Sequence, residues 1–243
     1  MSRFFLSVLI WQEFYWFRVI VKKIEGEHVL IGAIHVNKVR LKEAEERFFM
    51  RYPGGFSNQE ILEIVKKHKV EKMKKLAQDC FSLEQFASAE KIVESMHKVI
   101  SQSSLISIFE KPKFRDVVKS MSANEKEHVA HGLKEFLHGD QAFGFRLITG
   151  LLQEYKLAKW PLVTVCSVYY HPNTEIFIKP TTTKGIIAYF ELTGLIYNPA
   201  PTFEFYRAYR EQIMQMKQEV DASLQVDNAS FCGFLMMAME DYR

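Results

Sequence analysis

Two groupings of side chains in this sequence have the types and spacing to do chemistry, and both sit in text that reads as helix. In the run Glu127 to His138, the residues His128, His131, Glu135 and His138 fall at i, i+3, i+7 and i+10. On a helix this lines four metal-ligating groups along one side. Imidazole and carboxylate suit zinc, nickel or iron, and Glu-x-x-His spacing serves helical di-metal bundles. Two considerations oppose a metal centre. The stripe lies opposite Val129, Leu133, Phe136 and Leu137 and therefore faces water, and one straight helix cannot wrap four ligands around one ion. The expectation is no metal and no cofactor, with a metal-dependent enzyme as the rival.

The second grouping is the run Lys66 to Lys75, in which Lys66, Lys67, Lys69, Lys72, Lys74 and Lys75 outweigh the single Glu71. Lysines that neutralise phosphates release condensed counterions, which gives salt-dependent, sequence-independent affinity for DNA or RNA. Arginine, the usual base reader, is absent from the run. With Leu62, Val65, Met73, Leu76 and Cys80 as the apolar stripe, the lysines spread around the remaining arc. That arc is equally a solvated helix face.

Other segments offer less. Lys179-Pro-Thr-Thr-Thr-Lys-Gly185 joins hydroxyls and lysines at a helix start, where free N–H groups hold phosphate, but it lacks the P-loop pattern and reads as N-capping by threonine. Phe109 to Asp116 packs Glu110, Lys111, Lys113, Arg115 and Asp116 beside two aromatics, a pattern expected to form surface ion pairs. No Gly-x-Ser-x-Gly elbow, His-Glu-x-x-His helix, Rossmann glycine fingerprint or paired-cysteine zinc signature occurs. Cys80, Cys166 and Cys232 are odd in number, far apart and set in apolar runs. They read as buried free thiols in a reducing compartment, hence a cytoplasmic protein.

The elements that would position these groups are mostly helices. With 243 residues, 48% of them hydrophobic, the chain can build an ample core. Residues 1–75 hold 15 Lys/Arg against 9 Asp/Glu, a net +6, which leaves −3 for the remainder. Such asymmetry permits an anionic partner for the first third without demanding one. Residues 1–36 form an aromatic-rich segment. Its stretch 17–36 reads as a β-hairpin around Glu-Gly-Glu-His, with a helix through 4–23 as the competing reading. Gln12, Glu13 and Arg18 argue against a membrane span, leaving an interfacial anchor as the alternative to packing.

From residue 37 onward the pattern predicts a single multi-helix domain. Helices are expected at 38–51, 57–81, 83–102, 113–121, 123–138, 141–157, 161–170 and 181–192, then a helix carrying the stripe Tyr206, Tyr209, Ile213, Met216 and Val220, and a buried terminal helix at 231–239. Ser57 with Glu60 reads as the capping box of the second.

Several strings resemble a family of uncharacterised bacterial proteins: Arg51-Tyr-Pro-Gly-Gly-Phe56, Lys67 to Met73, Phe109 to Asp116, Leu157-Ala-Lys-Trp160, Lys179 to Gly185 and Phe203-Glu-Phe-Tyr206. The resemblance covers about 38–243 and implies no reaction or cofactor. The functional expectation is therefore a non-catalytic helical binding or scaffold protein, whose partner is a nucleic acid or another protein, with nucleic acid contacted through the lysine-rich helix.

Overall fold

The computed structural model describes residues 36–240 and, ahead of them, the backbone of 20–24 and 27–31. Those two stretches, β1 (Ile20–Ile24) and β2 (Glu27–Ile31), run antiparallel with Ile20 opposite Ile31. The turn between them, their flanks and the competing helix through 4–23 lie outside the described residues, so the expected hairpin is not counted in the fold.

Eleven α-helices make up the described body: α1 (Lys38–Arg51), α2 (Gln59–Lys67), α3 (Val70–Cys80), α4 (Ala89–Gln102), α5 (Glu110–Ser120), α6 (Ala123–His138), α7 (Gln141–Glu154), α8 (Trp160–Tyr170), α9 (Pro180–Tyr189), α10 (Phe203–Gln218) and α11 (Asn228–Glu240). The mainly helical expectation holds. Helix starts follow capping chemistry, in which a side-chain oxygen accepts from an otherwise orphaned N–H. Asn37, Ser88, Asp140 and Thr202 cap α1, α4, α7 and α10. Ser122 and Glu125 form a reciprocal capping box at α6.

The most closely packed helices are α6 and α7, joined by Gly139 and Asp140 alone, and α8 is the helix buried almost all round. Between α6 and α7 the approach is so close that glycine is required. A Cβ on Gly144 would stand 2.2 Å from the Phe136 nitrogen and 2.5 Å from the Gly132 oxygen. Around this pair α4 lies against α6 and α8, and α3 lies against α4 and α8, while α11 packs on α1, α9 and α10. The terminal helix thereby closes the body onto its own first helix, burying Phe231, Phe234, Leu235 and Ala238 as expected.

Aromatic rings fill the interior. Phe145 stands 5.5 Å from both Phe136 and Tyr206, and Trp160 lies 5.3 Å from Phe205, distances at which offset and edge-on rings attract. The Trp160 indole donates to the Asn198 carbonyl at 2.7 Å. The whole stripe Tyr206, Tyr209, Ile213, Met216 and Val220 is buried.

Three local expectations are corrected. The helix expected over 57–81 is two helices, and its cap is Asn58, which accepts from the Glu60 N–H, while Ser57 belongs to a short 3-10 turn. The 83–102 segment begins with a separate 3-10 turn, Leu83–Ala87, before α4. Threonine does not cap α9. That helix opens at Pro180, whose missing N–H costs nothing in a first turn, and Thr183 is buried instead.

Candidate functional site

The lysine run folds as a turn between two helices. Ile61 on α2 and Met73 and Ala77 on α3 are the fully buried positions. On one continuous helix Ile61 would point about 120° from Met73 and about 160° from Ala77, at 100° per residue. No straight rod can bury all three against one core. The chain breaks at His68, and Lys69 takes the left-handed conformation with φ 53°, which re-aims α3. Leu62, expected in the buried stripe, is exposed, and Ile61 takes that place.

This break sorts the lysines. Lys66 and Lys67 end α2, where cations suit the exposed carbonyls. Lys69 sits at the break, and Lys72 and Lys75 ride the outer side of α3. All five are exposed and have no carboxylate partner among the described residues. Lys74 turns the other way. Its Nζ lies 2.7 Å from Glu71 Oε1 and 3.1 Å from Asp227 Oδ2, with only 17% of the side chain exposed. Burial pulls the Lys74 ammonium down, but these two carboxylates outweigh it and hold its pKa above the ordinary lysine value. Lys74 thus ties α3 to the start of α11. His68 fastens the turn elsewhere, through Nδ1 to the Ser104 hydroxyl at 2.9 Å.

The His/Glu stripe of α6 does not converge. His128 and His131 are exposed, and His131 meets the Phe143 ring edge-on at 5.9 Å. Glu135 accepts from the Asp140 N–H at 3.0 Å. His138 bonds the Phe81 carbonyl through Nε2 at 2.8 Å and packs beside Phe86 and Tyr170. Among the described residues no three His, Cys, Asp or Glu side chains gather closely enough to hold a metal ion.

A constellation absent from the sequence reading is the buried cluster around Glu175, which is 3% exposed. Its Oε1 takes Arg210 Nη1 at 2.6 Å and Gln141 Nε2 at 3.0 Å, and its Oε2 accepts from the Tyr206 hydroxyl at 2.5 Å. Arg210 also donates to Gln141 Oε1 at 3.0 Å and lies over the Tyr206 ring. Burial, reinforced by the Glu175 charge, pushes the Tyr206 phenol well above its usual range. Next to it, Asn228 donates to the Glu175 carbonyl and accepts from Lys217 Nζ, each at 3.0 Å. Burial lowers the Lys217 pKa. The carboxylate and its partners satisfy one another in the interior, so this arrangement staples α7, the 175–179 strap and α10 together. The one legible signal was Arg210 four residues beyond Tyr206 on the apolar stripe.

Remaining expectations are met in part. Arg115 pairs with Asp116 at 2.9 Å as an exposed surface pair, whereas Glu110, only 14% exposed, pairs outside the run with Lys159 at 3.3 Å. Thr182 turns toward the Met236 sulfur on α11, Thr183 is buried, and Thr181 alone of the three hydroxyls is exposed. The three cysteines are free thiols, but of the three expected to be buried only Cys166 is fully so, Cys80 and Cys232 being half-buried; burial pushes Cys166 up to about 12, which keeps it protonated and unreactive. No described helix is long and apolar enough to cross a membrane.

In comparison with known proteins, the sequence matches no family model, and no curated protein or solved structure is significantly similar to it.

Proposed function

We propose that this chain is a non-catalytic helical binding module that takes a phosphate-rich, polyanionic partner on the α2–α3 turn. The observation that carries the reading is the sorting of one lysine run: Lys66, Lys67, Lys69, Lys72 and Lys75 are exposed without carboxylate partners, whereas Lys74 is drawn inward. Five exposed, unmatched ammonium groups where α2 meets α3 concentrate positive potential where counterions condense and are released on binding. The non-catalytic part rests on the Glu175 cluster, whose chemistry-capable groups are buried and mutually satisfied. Free thiols fit a cytoplasmic setting. Ahead of this body, residues 17–36 are proposed as the hairpin on their β-branched runs either side of Glu-Gly-Glu-His.

Fluorescence anisotropy with a labelled single- or double-stranded oligonucleotide over a salt series tests the lysine turn as a polyanion site. About four phosphate contacts weaken binding roughly a hundredfold between about 50 and 200 mM salt. The variant Lys66→Glu/Lys67→Glu/Lys69→Glu/Lys72→Glu/Lys75→Glu abolishes it. Absence of binding at low salt, or a variant that binds like the parent, refutes the proposal.

A further inference from the structure

We propose that the polyanionic partner is an anionic lipid surface, engaged by an apolar tip at Ile108 and Phe109 with the lysine turn beside it. The inference rests on the reading of that turn as a polyanion site and adds a second feature. Ile108 and Phe109 are adjacent and each 74% exposed at the entry to α5. Exposed apolar residues scattered singly need no explanation, but two together on a held loop do. The loop is held. Ile106 is buried, the Phe109 N–H donates to the Ser107 hydroxyl at 3.3 Å, and the Glu110 N–H donates to the Ser107 carbonyl at 3.0 Å.

Charge around the tip is complementary to a phosphate-bearing surface. Glu110 is matched by Lys159, and Lys111 and Lys113 have no carboxylate partner among the described residues. On the other side of the loop, the His68–Ser104 hydrogen bond joins its start to the lysine turn. Five residues from Ser104 to Phe109 span at most about 18 Å, which bounds the distance from tip to turn.

The side-chain types decide between lipid and nucleic acid. Base stacking needs π-faces, and of the two tip residues only Phe109 has one, while Ile108 offers none. Hydrocarbon accepts aliphatic and aromatic groups alike, while lysines around an inserted tip meet lipid phosphates.

The test is co-sedimentation of the full chain with phosphatidylcholine vesicles, with and without phosphatidylserine. The expected result is salt-sensitive binding to the anionic vesicles alone. Ile108→Ser/Phe109→Ser lowers that binding about tenfold or more and leaves low-salt oligonucleotide binding and the thermal midpoint unchanged, since both side chains face solvent. The five-lysine variant loses both ligands. Oligonucleotide binding without vesicle binding overturns the lipid assignment and leaves the lysine turn standing. Equal binding to neutral vesicles, or a tip variant that sediments like the parent, overturns it as well. Oligonucleotide binding that falls with the tip variant would instead assign Phe109 to base stacking.

Discussion

The Glu175 cluster and the α2–α3 turn both concentrate charge, and they differ in where the opposite charge resides. At Glu175 every charged or polar partner comes from the same molecule: Arg210, Tyr206 and Gln141 converge from α7 and α10 on one carboxylate. At the turn, five lysines project with nothing opposite them among the described residues. The first arrangement is complete within the fold and spends its electrostatics on fixing helices. The second is incomplete, and completion has to come from outside. Charge density alone would rank the two together; burial and partner count separate them.

The largest expected effect lies at the buried cluster. Glu175→Ala leaves the Arg210 guanidinium without its counter-charge and the Tyr206 hydroxyl without its carboxylate acceptor, and Arg210→Met leaves a buried carboxylate uncompensated. Each costs about 3–5 kcal/mol in urea unfolding. The double variant Glu175→Met/Arg210→Met loses far less than the sum, because both unmatched charges are gone. Single variants within ~0.5 kcal/mol of the parent, the range of ordinary surface changes, would show that the cluster does not fix the helices and erase the contrast.

The two lysines Lys74 and Lys75, adjacent in sequence, sharpen the same contrast inside one helix. Lys74→Met removes an ion pair between side chains only 17% and 12% exposed and costs about 1–2 kcal/mol. Lys75→Met leaves stability within ~0.5 kcal/mol. In anisotropy the order reverses, with Lys75→Met weakening oligonucleotide binding and Lys74→Met leaving it nearly intact. Equal stability losses, or equal binding losses, would mean that the inward and outward roles are not separate.

How far each region was legible in the sequence follows from the range of the interactions that build it. Helices set by local caps and apolar period could be read directly: α1 and α6 match their expected bounds, and the α10 stripe is buried throughout. The break at Lys69 could not, because no glycine or proline marks it. It arises from the separate demands of Ile61 and Met73 on the core, a tertiary constraint that overrides helix-favouring residues. The pairing of Lys74 with Asp227 spans 153 residues, and that of Glu175 with Arg210 joins different elements. Spacing within one helix carries no trace of either. Of the α6 stripe expected to face water, His128 and His131 do, but spacing could not reveal that His138 turns inward, packed and engaged by the Phe81 carbonyl.

The smallest effect concerns a carboxylate that is neither buried in a cluster nor left open. Glu125 closes the α6 capping box, accepting from the Ser122 hydroxyl at 2.6 Å, the Tyr155 hydroxyl at 2.5 Å and the Ser122 N–H at 2.7 Å. These donors, the Ser122 hydroxyl first and then Tyr155, favour the ionised form and draw its pKa from 4.5 down to about 2. A folded-state pKa below the unfolded one means the unfolded chain binds the proton first as pH falls. The stabilisation is therefore complete above about pH 4.5 and is lost as pH falls through about 2. Glu125→Gln, which mimics the protonated group, should have a lower urea midpoint than the parent at neutral pH, and the gap should close between those limits. Ser122→Ala costs about 1 kcal/mol as a lost cap and moves the Glu125 titration, followed by carboxyl NMR shifts, back toward 4.5. A gap that persists at pH 2 would show that local donors do not hold this carboxylate. It would then behave like the outward charges of the α2–α3 turn, although it sits on the same body as the matched pair at Glu175.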